Sequence, residues 1–179
     1  MYKRISLAFA AVALLPLAAS AHGPTRQKVI ETIEINAPAD KVWAKVGNFG
    51  DMSWLPAVEK TAAKGGNEVG ATRSLTLKGD KKGPIDEELL KYDAAGYSYS
   101  YKITNVDVKV LPVSNYSSHI TVTPEDGGKS KVEWWGAFYR GFPNNDPPPE
   151  LNDEAALAAV TAVYKAGLSG LKQAVEGGK

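Results

Sequence analysis

Apolar residues recur at two spacings along this chain, and the change of spacing divides it into elements. In KVIETIEI (28–35), Val29, Ile33 and Ile35 fall on one face at period two, which predicts a strand. The next stretch, APADKVWAKV, sets Pro38 near a first helical position and Asp40 in the first turn. Val42, Trp43 and Val46 follow at helical spacing, so a short helix is expected. Beyond Pro56, strands are expected near 57–63, 70–78, 84–92, 96–104 and 106–123, with Pro112 a candidate break in the last, and then at 130–140. Gly65-Gly66, Gly79-Asp80, Ala95-Gly96 and Asp126-Gly127 supply the turns of a meander. After the proline-rich link GFPNNDPPPE the period becomes 3.6. Leu157, Val160, Tyr164, Leu168, Leu171 and Val175 then form one stripe of a long amphipathic helix over 151–176. A strand, a short helical region, a meander and a long final helix imply an α+β fold in which that helix covers one face of the sheet.

Strand parity singles out aromatic and charged residues. GNFGDMSWLP (47–56) carries Phe49, Met52 and Trp54 in a turn-rich stretch where polar residues are the rule, so these side chains face the interior as a core plug or as a lid over a cavity. In GYSYSYKI, Tyr97, Tyr99, Tyr101 and Ile103 share a face, lining a pocket or covering the sheet. In VEWWGAFYR, Val132, Trp134 and Phe138 share one face and Trp135 and Tyr139 the other. One of those aromatic pairs is therefore exposed or covered by something else. Arg73 has the parity of Leu75 and Leu77, and Glu87 that of Ile85 and Leu89. A turn near 79–82 brings Arg73 and Glu87 together across a strand pair, as a structural ion pair or as an anion anchor or polarising group in a pocket.

Composition narrows the class. The chain has 179 residues, 44% of them hydrophobic and 23% charged, which suits one globular domain. Its first 21 residues form an export signal: Lys3 and Arg4 in a basic start, an apolar run from Ile5 to Leu17, and Ala19-Ser20-Ala21 before the cleavage bond. The mature chain then starts at His22, residues 22–179 form the domain, and the location is periplasmic. Removing those two cations leaves 19 basic against 20 acidic residues, a charge of −1, which does not suit nucleic-acid binding. No cysteine is present, so a disulfide framework, a thiolate metal site and a covalently attached c-type haem are excluded.

Enzymatic motifs fail on inspection. GGNEVGATR has the glycine spacing of a phosphate loop without its Lys-Ser/Thr, and GLSGL in the final helix lacks the last glycine of a nucleophile elbow. Ser117 and His119 share a strand face at about 6–7 Å, too far for a nucleophile and its base to touch. A copper site at His22 would have to recruit His119 from far along the chain, so no metal and no cofactor is expected. The NYS sequon at Asn115 reads as strand sequence.

The motifs IEINAPADKVWAKVGNFGDMSWLP, VGATRSLTL and IDEELLKYDAAGYSYSYKI, followed by the terminal helix, resemble the SRPBCC superfamily of START-like and polyketide cyclase/dehydrase-like helix-grip proteins across about residues 28–175. With the export signal and WWGAFYRGFPNNDPPPELNDEAA, the whole is most similar to the MxaD family of periplasmic proteins that accompany methanol dehydrogenase. The resemblance implies a helix-grip fold, a curved antiparallel sheet of about seven strands round the C-terminal helix, with two short helices after the first strand and an apolar cavity between. Phe49, Trp54, Arg73, Glu87, Tyr99, Tyr101, Trp134, Phe138 and Tyr164 are its pocket candidates. The stiff link 139–150 offers Tyr139 and Phe142 as partner-docking candidates. Two functions follow. The first is a non-catalytic accessory protein that binds methanol dehydrogenase or its cytochrome c and assists electron transfer, with room for a small apolar ligand. The second is a cyclase/dehydratase-like enzyme using the pocket tyrosines with Arg73 and Glu87.

Overall fold

The computed structural model describes residues 23–79 and 83–177, so the export segment, its cleavage bond and His22 lie outside the described residues. The strands are β1 (Gln27–Ile35), β2 (Val58–Lys64), β3 (Thr72–Leu77), β4 (Ile85–Asp93), β5 (Ser98–Val106), β6 (Val113–Glu125) and β7 (Lys129–Arg140). They form one antiparallel sheet in the order β1-β7-β6-β5-β4-β3-β2. Strands β2 to β7 are thus a meander, and β1 joins its far end by pairing with β7. Irregular register in the β2–β3, β4–β5 and β6–β7 pairs bends the sheet into a curve, as bulges do.

Helix α1 (Ala39–Val46) follows β1, and helix α2 (Asp153–Glu176) closes the chain after a single 3₁₀ turn at Pro149–Leu151. Asn152 caps α2 by accepting the Ala155 amide at 2.8 Å, and Asp153 and Glu154 sit at the positive end of the helix dipole. The predicted stripe is the buried one. Val160, Tyr164, Leu168 and Leu171 are buried against the sheet, while Leu157 and Val175 lie half-buried at its margins.

Two expectations change in detail. Only one short helix follows β1, not two. Residues 48–58 run instead as successive turns, Asn48 to Asp51, Met52 to Leu55 and Leu55 to Val58, with Asp51 Oδ1 accepting the Ser53 amide. Gly47, Gly50 and Pro56 flank or interrupt this stretch, and the aspartate's bond to the backbone competes with a helix. The strand expected over 106–123 begins only at Val113, because Asp107 draws the Lys109 and Val110 amides into a turn. That turn tucks Val110 and Leu111 inside.

Close approach between α2 and the turns depends on two glycines. A Cβ on Gly170 would collide with the Trp54 carbonyl and the Pro56 ring. One on Gly167 would lie 2.6 Å from the Trp134 ring and 2.9 Å from Leu55. What reads as a damaged catalytic motif, GLSGL, is therefore the groove that lets the helix touch the 47–56 segment.

Candidate functional site

Between α2 and the inner face of the sheet lies a cavity of about 270 Å³. Its walls are apolar, from Met52 and Leu55 of the turns, Ile85 of β4 and Val110 and Leu111 of the 107–112 turn, with Ala159, Ala162 and Val163 along one side of α2. Ala57 and Ala162, both exposed, stand at its mouth. Three lining residues are polar: Glu87, Tyr101 and Tyr116. The volume falls just below the range of drug-sized pockets, so an occupant would be small.

Glu87 arrives there by register. Arg73 and Glu87 are directly opposed in the β3–β4 pair. Arg73 Nε donates to Glu87 Oε2 at 2.5 Å and Nη1 donates to the Phe49 carbonyl at 2.9 Å. The guanidinium also lies 4.2 Å from the Phe49 ring centre and 4.9 Å from that of Tyr101. Arg73 is 2% exposed and Glu87 5%. Burial opposes the charge on Arg73, but Glu87, together with Tyr99 and Tyr101, more than offsets it and the guanidinium stays cationic. Burial pushes the Glu87 carboxyl above its ordinary range while Arg73 pulls it back. Of this pair only Glu87 lines the cavity; Arg73 stands behind it.

A chain of hydroxyls crosses from sheet to helix beside the cavity. Trp134 Nε1 donates to Ser118 Oγ at 2.8 Å, and Ser118 Oγ donates to the Trp135 carbonyl at 2.8 Å. Tyr164 Oη, from α2, lies 2.9 Å from Ser118 Oγ and 2.6 Å from Tyr116 Oη. The Tyr164 ring stacks on Trp134 at 4.3 Å, and its hydroxyl occupies the space that a side chain at Gly136 would need. Burial, reinforced by neighbouring acidic groups, raises the pKa of Tyr101 and Tyr116 well above the phenol range, so both remain protonated.

Glu87, Tyr101 and Trp134 thus line the cavity as pocket candidates. Phe49, Trp54, Tyr99, Phe138 and Tyr164 are all buried but pack behind the lining. Trp54 meets Trp134 edge-on at 5.4 Å, and Phe49 meets Tyr99 edge-on at 6.1 Å. Met52 touches the cavity while Phe49 and Trp54 fill the layer behind, so the 47–56 segment both plugs the sheet and contributes one wall. Tyr116 was not among the predicted pocket residues. Its parity with the buried Ile120 and Val122 points inward, and the structure places it there, within the register shift between Ser114 and Ser117.

The docking candidates lie elsewhere. Tyr139 and Phe142 are half-buried, with the Arg26 guanidinium 5.9 Å from the Tyr139 ring centre. The link is held by Arg140, whose Nε and Nη2 donate to the carbonyls of Phe142 and Asn144 at 2.9 Å, and whose Nη1 donates to Asp153 at 3.0 Å. His119 stacks on Trp135 on the outer face, and Lys28 Nζ lies 4.9 Å from the Trp135 ring centre. Among the described residues no group of three or more His, Asp and Glu gathers as a metal site, and no helix is long and apolar enough to cross a membrane.

A sequence profile for "Polyketide cyclase / dehydrase and lipid transport" matches residues 26–176. The chain belongs to that family. No curated protein matches it significantly in sequence. Among solved structures, an uncharacterised protein from Bacillus thuringiensis is 28% identical, with a TM-score of 0.69 over 84% of this chain and 99% of its own. The protein XoxI from Bacillus cereus is also 28% identical, with a TM-score of 0.68 over 83% of this chain and 95% of its own. Norcoclaurine synthase from Thalictrum flavum, in complex with dopamine and hydroxybenzaldehyde, is 16% identical and shares the fold, with a TM-score of 0.65 over 97% of this chain and 99% of its own.

Proposed function

We propose that this family member is a non-catalytic binding protein that takes a small, mostly apolar molecule into the cavity under α2. The observation that carries the reading is the cavity of about 270 Å³, walled by aliphatic side chains and holding three polar groups. The neutral probe 2-methoxynaphthalene should bind at one equivalent per chain, measured by its fluorescence. Ala162→Trp, at the mouth, should abolish that binding with an unchanged circular dichroism spectrum. Failure of the unaltered protein to bind either this probe or 2-naphthol would overturn the reading.

The finer assignment rests on the sequence resemblance to the MxaD family. In this reading residues 1–21 are removed on export, the mature chain starts at His22 in the periplasm, and the protein assists electron transfer between methanol dehydrogenase and its cytochrome c, with Tyr139 and Phe142 at the contact. Intact mass of the exported protein tests the first part. Stopped-flow reduction of the cytochrome, with and without the protein, tests the second: an unchanged rate across ionic strengths would refute it.

An enzymatic reading has one observation in its favour. Glu87 and Tyr101 both reach the cavity wall, where a carboxyl with a raised pKa suits proton transfer. The likeness to norcoclaurine synthase supports the shared scaffold and does not extend to its reaction. Turnover of a cavity ligand that Glu87→Gln abolishes without loss of binding would favour this reading.

A further inference from the structure

Counting protons along the hydroxyl chain beside the cavity leads to the chemistry of its occupant, an inference that rests on the ligand-binding reading above. The Trp135 carbonyl can only accept, and Ser118 Oγ donates to it at 2.8 Å, which uses the one proton of that serine. The Trp134 indole can only donate, and it occupies one acceptor position of Ser118 Oγ. Tyr164 Oη, at 2.9 Å, must therefore donate to Ser118, and Tyr116 Oη, at 2.6 Å, must donate to Tyr164. The proton of Tyr116 is committed to Tyr164, and since Tyr116 lines the cavity its hydroxyl oxygen can only accept from an occupant.

The neighbouring groups are complementary. Tyr101 lines the same cavity with its ring centre 6.2 Å from that of Tyr116, and no group among the described residues hydrogen-bonds its hydroxyl, which can donate or accept. Glu87 adds a second acceptor. Among the described residues no lysine or arginine lines the cavity, because Arg73 is turned to Glu87 and the Phe49 carbonyl.

We infer that the cavity selects neutral apolar molecules bearing a hydroxyl, which donates to Tyr116 Oη and accepts from Tyr101 Oη, and that it rejects carboxylates. An ether has no proton for Tyr116. A carboxylate meets an acceptor and Glu87, with no cation among the described lining residues to offset its buried charge.

The test compares three molecules on one ring system, 2-naphthol, 2-methoxynaphthalene and 2-naphthoate, by titration calorimetry. Naphthol should bind about ten-fold tighter than the methyl ether, and naphthoate at least ten-fold weaker than the ether. Tyr116→Phe should bring naphthol to the affinity of the ether and leave the ether unchanged, since Tyr164 keeps its donation to Ser118. Equal binding of naphthol and ether to the unaltered protein would overturn the inference while leaving the ligand-binding reading standing. Tighter binding of naphthoate would overturn it too, and binding of none of the three would remove both.

Discussion

Arg73 and Glu87 meet across the β3–β4 pair because two inward positions on adjacent strands carry opposite charges in direct register. Each charge depends on the other for its place in an apolar interior. Removing one partner of such a pair costs about 3–5 kcal/mol, since the remaining charge is buried without compensation. Arg73→Met and Glu87→Gln should each lower stability by that order in urea titrations, and the double variant should lose less than the sum. Additive losses would mean that the pair is not coupled. His119 offers a pH test on the outer face. Its pKa is lowered, first by partial burial and then by Lys91, with Glu133 opposing. A histidine whose folded pKa is depressed stabilises the fold above its unfolded value near 6.5, and that stability is lost as pH falls through the folded value. Denaturation midpoints should therefore fall below pH 6.5, and His119→Gln should flatten that slope.

At the scale of elements, α2 lies where it does because its small residues admit the backbone of the 47–56 turns. Gly170→Ala would gain about 0.5–1 kcal/mol of helix propensity, yet the added methyl meets a carbonyl and a proline ring that cannot rotate away. Overpacking of this kind costs about 1–3 kcal/mol, so the clash wins and the melting temperature should drop. A rise in Tm for Gly170→Ala would show that α2 can shift away from the turns. Gly136 plays the same part on β7 for the Tyr164 hydroxyl. Gly136→Ala should break the contact between Tyr164 and Ser118 and lower stability by more than Tyr164→Phe does.

For the whole molecule, the curved sheet and α2 do not fill the space between them, and the remaining volume is the candidate site. The elements themselves were legible in the pattern of residues. Periods of two and 3.6 placed six strand regions, α1 and α2 close to their observed spans; parity grouped Tyr99 with Tyr101 and Trp134 with Phe138 on shared faces, and the structure buries both faces along with Phe49 and Trp54. Which of these would touch the cavity was not legible, because parity assigns a face of a strand and says nothing about depth along it. Glu87, Tyr101 and Trp134 reach the lining, and the others stand one layer back.

The sequence by itself determined the backbone periods, which side chains share a strand face and the encounter of Arg73 with Glu87, because all of these follow from local geometry and one short strand connection. It also determined which kinds of chemistry were absent, from its lack of cysteine and its small net charge. Only the tertiary structure decided the rest. Tyr116 and Tyr164 are 48 positions apart, and their hydroxyls meet because α2 approaches β7 over Gly136. Arg140 reaches back across the link to Asp153 for a similar reason: a long side chain at a strand end finds the carbonyls of whatever segment the fold lays beside it. Such contacts depend on how distant elements pack, and no local spacing encodes them.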